Sequence, residues 1–81
     1  MVELYVSRSC PFCIKVMRAA DEMGLKEGKE YTIVEAERGT AGREKVVDTG
    51  GKSMVPFLID GDWSMYESDD IIDYLRSNVA G

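Results

Sequence analysis

Apolar and polar residues alternate over Val2–Val6, where "VELYV" sets Glu3 among strand formers, and this period of two predicts a strand. The period then lengthens. From Pro11 to Met23 the sets Ile14, Met17, Ala20 and Val16, Ala20, Met23 recur at helical spacing and predict a helix. Pro11 fits its first turn, where a missing N–H costs nothing, and Gly24 supplies a C-terminal stop. The stretch "EYTIVEA", Glu30 to Ala36, reads as a second strand with Tyr31, Ile33 and Glu35 on one face. Strand, crossover helix and strand make a βαβ unit, which predicts a parallel pair.

"ERGTAGR" is a loop leading into a short helix from about Thr40 to Thr49, ended by Gly50-Gly51. "MVPFLID" is an apolar strand with Pro56 near its start, and Asp60-Gly61 between it and "DWSMY" is a hairpin signal. "ESDDIIDYLRSN" is a final helix. Its first-turn acids and Arg76 complement the helix dipole, Ser68 is its N-cap, and Ile71, Ile72 and Leu75 face the sheet. The order β-α-β-α-β-β-α predicts an α/β fold, a four-stranded mixed sheet flanked by three helices. Residues 1–81 read as one domain without repeats or linkers.

Composition narrows the function. With 44% hydrophobic and 31% charged residues, the chain has the make-up of a soluble globular domain with a modest core. Its net charge of -5, from 15 acidic and 10 basic residues without a Lys/Arg run, argues against a nucleic-acid binder, which needs a basic footprint. No charged segment followed by an apolar one marks a signal peptide at the N-terminus, and no stretch reaches the roughly 18 apolar residues of a membrane span. A cytoplasmic monomer that binds no membrane is expected. A thiol pair in that compartment is normally reduced, and is more often catalytic or metal-binding than structural.

The two cysteines of the chain stand in "SCPFCI" as Cys10 and Cys13. Three readings are open: metal clip, staple or redox centre. A staple closing so small a loop would constrain the unfolded chain little. Structural zinc takes four ligands, whereas the chain offers two cysteines and no histidine, so no metal is expected without carboxylates or a second subunit. The redox reading gains from position. Cys10 falls between the first strand and the first turn of the next helix, where unpaired N–H groups and the helix dipole favour a thiolate, and Arg8 can add positive potential. Cys13, one turn on, is less accessible. Cys10 is then the nucleophile that attacks a disulfide, and Cys13 resolves the mixed disulfide.

"CPFC" after a first strand, "MVPFLI" opening a third and "YESDDIIDYL" near the end resemble the glutaredoxins, and more closely the glutaredoxin-like N-terminal domain of the glutathione-transferase superfamily. The resemblance covers nearly the whole chain. It implies a thioredoxin-like (glutaredoxin) fold acting on glutathione, on glutathionylated proteins and on protein disulfides. It further implies a cis Val55–Pro56 bond, with the Val55 backbone pairing to the cysteinyl part of glutathione. Glu67 and Ser68 would hold the ammonium and carboxylate of the γ-glutamyl end, with Asp69 nearby.

There are departures. Ser7 stands where glutaredoxins commonly have a lysine facing the glycyl carboxylate, which leaves Arg8, Lys52 and Lys15 as candidates for that partner, and Met54 stands where threonine is common. The helical second domain of full transferases has no counterpart in the 81 residues, which speaks against conjugating activity. Two alternatives to glutaredoxin chemistry stay open: a donor reduced by a thioredoxin-type reductase, and a dimer bridging an iron–sulfur cluster. Phe12 is expected on an exposed rim that meets substrates. Trp63, Tyr66, Met17 and Met23 are expected in packing, and Arg38, Arg43 and Lys45 on a solvated face.

Overall fold

In a computed structural model describing residues 1–80, β1 (Val2–Val6) runs parallel to β2 (Tyr31–Glu35) and antiparallel to β3 (Phe57–Asp60). β3 turns through Gly61 into the antiparallel β4 (Trp63–Tyr66), which gives a mixed sheet of order β2-β1-β3-β4. Val2 pairs with Tyr31 and Val6 with Glu35, so the two ends of the βαβ unit are in step. The helices are α1 (Pro11–Glu22), α2 (Ala41–Gly50) and α3 (Ser68–Asn78). This is the mixed α/β arrangement that the element order predicts, and it is the thioredoxin-like fold that the sequence resemblance implies.

Strand alternation sorts the core into two layers. Leu4 and Val6 join Leu58, Val16, Ala20, Ile71 and Leu75 beneath α1 and α3. Tyr5 points the other way, to Phe57, Ala36 and Val46 beneath α2. Fully burying an aliphatic side chain contributes about 1.5–3 kcal/mol. The larger cluster is therefore what seats α1, and with it the cysteine pair, on the sheet.

Most boundaries follow the sequence pattern, and the departures have local causes. In α1 the fully buried residues are Cys13, Val16 and Ala20, whereas Ile14 is 41% exposed. Cys13 counts as an apolar residue in that stripe, which rotates the face away from Ile14 and leaves Met17 and Met23 partly buried at its edge. Ladder pairing in β3 starts at Phe57, not Met54, since Pro56 has no N–H to donate. Thr40 caps α2 by accepting the Arg43 N–H at 3.2 Å. Arg43 does not join a solvated face: the residue is half-buried, and its guanidinium donates to the Ala36 carbonyl at 2.9 Å and the Ser53 hydroxyl at 3.0 Å. Trp63 does not pack, being 55% exposed at the start of an edge strand. Ser68 is the first residue of α3 and not its cap; Glu67 holds the cap position at φ 76 without a side-chain capping bond.

Candidate functional site

The end of β1 delivers the chain into the start of α1, and the two thiols take different environments there. Cys10 occupies the N-cap position of α1, half-buried, with no side chain capping the helix. Its N–H donates to the Ser7 carbonyl at 3.1 Å, which closes the turn between strand and helix. Cys13 is fully buried and receives the Ser7 N–H on its Sγ at 3.4 Å. Burial, reinforced by a hydrogen bond and charge repulsion from Cys10, pushes the Cys13 thiol up to about 12. Both thiols are free. The pair therefore consists of one half-buried thiol at the start of the helix and one fully buried thiol a turn further on.

A cleft of about 430 Å³ opens beside this pair, within the usual range for small-ligand sites. One wall is Met54, Val55 and Pro56, and the Val55–Pro56 bond is cis. The opposite wall is Glu67 and the first turn of α3, Ser68 to Asp70. Phe12 and Lys15 of α1 complete the lining, and Phe12 is 61% exposed, as a rim residue should be. Cys10 meets the cleft through Val55, whose carbonyl lies 3.9 Å from the cysteine Sγ.

Six of the residues singled out in the sequence, Phe12, Val55, Pro56, Glu67, Ser68 and Asp69, thus line one opening, and Cys10 adjoins it through the Val55 carbonyl. Arg8 does not join them. Its Nε is paired to Glu35 at 2.6 Å, with both side chains exposed, and it is absent from the cleft lining. Lys15 is the one cation among the described lining residues, and its Nζ meets Asp69 at 2.5 Å. Among the described residues, no group of three or more His, Cys, Asp or Glu side chains is placed to hold a metal ion.

Glu37 is a residue that sequence reasoning missed. Its carboxylate accepts from the Ser7 hydroxyl at 2.7 Å and from the Arg8 N–H at 3.1 Å, and so fastens the turn that carries Cys10. No local pattern marks an acid 30 positions from its partner. The parallel register of β1 and β2, which ends with Val6 opposite Glu35, is what brings the two loops together.

Residues 4–81 match the family of the glutathione S-transferase N-terminal domain. The chain belongs to that family. No curated protein matches the sequence. Among solved structures, the domain is similar to a trimeric glutathione transferase of Leishmania, with 30% identity and a TM-score of 0.78 over 98% of this chain and 17% of that one. It is similar to the theta-class enzyme of Xanthomonas axonopodis pv. citri, solved with glutathione bound, at 25% identity and a TM-score of 0.75, covering 98% and 37% of the two chains. A delta-class transferase of Nilaparvata lugens shares the fold, with a TM-score of 0.80 at 20% identity over 98% and 36%. The chain thus spans well under half the length of these transferases. The transferase N-terminal domain carries the thioredoxin-like fold described above, as the sequence resemblance implies.

Proposed function

We propose that this domain is a glutathione-dependent thiol–disulfide oxidoreductase acting on glutathionylated and disulfide-bonded proteins. The observation that carries the reading is the graded pair of thiols, Cys10 half-exposed at the edge of the cleft and Cys13 fully buried behind it. A site that only bound glutathione would have no use for the second sulfur. Glutathione bound to the theta-class relative supports the choice of ligand.

In this reading the Val55 backbone pairs with the cysteinyl part of glutathione as a short extra strand. Glu67 faces the γ-glutamyl ammonium. The Ser68 hydroxyl and the first N–H groups of α3 take the α-carboxylate, and Lys15 adds positive charge beside them. The Cys10 thiolate attacks the glutathionyl sulfur of a mixed disulfide. A Cys10–glutathione disulfide forms, the original S–S bond breaks, and the protein thiol leaves with a proton from solvent. A second glutathione thiolate then attacks the glutathionyl sulfur, releasing glutathione disulfide and regenerating Cys10, so that glutathione supplies both electrons.

With a protein disulfide, Cys10 forms the mixed disulfide and Cys13 displaces the substrate thiol from it, leaving Cys10–Cys13 for two glutathiones to reduce. Burial is the main cause that holds the Cys13 proton, and the Ser7 N–H on its Sγ works in the opposite direction.

Family membership favours a second reading, transfer of glutathione to an electrophile. Turnover of a small glutathione mixed disulfide, coupled to glutathione reductase, tests the first reading against it. We expect steady turnover that requires glutathione. Conjugation of an electrophilic aryl halide without disulfide turnover supports the second, and reduction driven by a thioredoxin-type reductase alone supports the reductase-coupled donor.

A further inference from the structure

The two walls of the cleft flank the β3–β4 hairpin, Met54 to Pro56 before it and Glu67 to Asp70 after it, and one hairpin side chain is tied to both. Tyr66 ends β4 and is joined by a peptide bond to Glu67 in the α3 wall. Its ring reaches the loop after α2. There the hydroxyl accepts the Lys52 N–H at 3.0 Å and donates to the Lys52 carbonyl at 2.7 Å, with the Val46 carbonyl 3.3 Å away. Two residues further on, that loop becomes Met54, Val55 and Pro56, the opposite wall. Phe57 pairs with Tyr66 across β3 and β4, and their ring centroids are 4.5 Å apart.

Gly50 leaves the space that this ring occupies against the end of α2. It lies in the last turn of α2, where glycine is a poorer helix former than alanine and no positive φ calls for it. A Cβ there would collide with the Tyr66 hydroxyl and ring. Glu67 adds a second sign. At φ 76 it holds a conformation that non-glycine residues keep only when their surroundings impose it, and Tyr66 is its immediate anchor.

We propose that Tyr66 is a positioning residue for thiol–disulfide exchange, holding the Val55 wall and the Glu67 wall at the separation that glutathione requires. The inference rests on the glutathione reading and adds a residue to it. Tyr66 touches no substrate; it acts through the Lys52 backbone on one side and its peptide link to Glu67 on the other.

The test is the kinetics of Tyr66→Phe, which keeps the ring pair with Phe57 and deletes only the hydroxyl. The KM for glutathione should rise about three- to tenfold, with kcat at saturation within about twofold of wild type and the rate of Cys10 alkylation unchanged. Gly50→Ala should shift KM in the same direction, and the double variant should be less severe than the product of the two, as for residues on one route. Tyr74→Phe removes a comparable hydroxyl bond, to Asp60 at 2.5 Å, outside the cleft lining, and serves as the stability control. A wild-type KM in Tyr66→Phe, or an equal shift in Tyr74→Phe, overturns the positioning role while the glutathione reading stands. Absence of turnover in the wild-type protein overturns both.

Discussion

The Sγ of Cys10 lies 3.9 Å from the carbonyl oxygen of Val55, a residue 45 positions further along the chain. The sheet makes this contact: β1 leads into the Cys10 turn, and its antiparallel neighbour β3 begins two residues after Val55. The proposed nucleophile and the backbone proposed to pair with its substrate are thereby fixed to adjacent strands. Each prediction below depends on that adjacency or on the asymmetry between the two thiols.

Charge in the cleft sets the first expectation. Glu67→Gln should raise the KM for glutathione about three- to tenfold, because a charge-assisted bond to the ammonium becomes a neutral one. Lys15→Gln should raise it in the same direction. Arg8→Gln should change it by less than about twofold, since Arg8 is engaged with Glu35 outside the cleft. Steady-state kinetics on the three variants check the order, and a dominant effect at Arg8 would contradict the assignment.

Accessibility of the thiols gives a second. Iodoacetamide added to the native, reduced protein near neutral pH should modify Cys10 and leave Cys13 unreacted, because Cys13 is fully buried and its thiol is pushed up to about 12. Peptide mapping by mass spectrometry reads the two sites separately. Equal labelling of the folded protein would remove the basis for their different roles.

Alkaline stability follows from the same burial. Cys13 rises from 9.0 to about 12 through burial, and Tyr5 from 10.0 to about 12 through burial and its 2.9 Å bond to Glu3. Above about pH 9 the unfolded chain therefore releases protons that the folded protein retains. Their contribution to stability is complete below that pH and is lost as pH rises through the folded values. The urea midpoint should fall steadily from about pH 9 to about pH 11, and Tyr5→Phe should flatten the upper part of the decline. A midpoint independent of pH over that range would contradict the burial argument.

All seven elements were legible in the sequence because each carries its own period and its own stops. Val2–Val6 alternates, Gly24 ends α1 at φ 84, and Asp60-Gly61 turns the hairpin. Where two apolar series overlapped in α1, the pattern did not decide between Ile14 and Cys13, because cysteine was weighed for its chemistry and not for its burial. The lining of the candidate cleft was legible where a short motif carried it, as at Val55-Pro56 and Glu67-Ser68, and the adjoining Cys10 stood out in a motif of its own. It was illegible where the contact depends on sheet register. Arg8 to Glu35 spans 27 residues and Glu37 to Ser7 spans 30, and nothing local to any of the four announces its partner. Tyr66 was read as packing, which it is, but its hydroxyl bonds to Lys52 could not be foreseen from either stretch alone.

The central claim is that Cys10 performs the chemistry and Cys13 resolves it. The most direct test is to assay Cys10→Ser and Cys13→Ser on a glutathione mixed disulfide and on a protein disulfide in parallel. Cys10→Ser should be inactive on both substrates. Cys13→Ser should keep deglutathionylation within a few-fold of wild type (about twofold to fivefold) and lose reduction of the protein disulfide. Equal loss in both variants, or deglutathionylation that survives Cys10→Ser, would contradict this account.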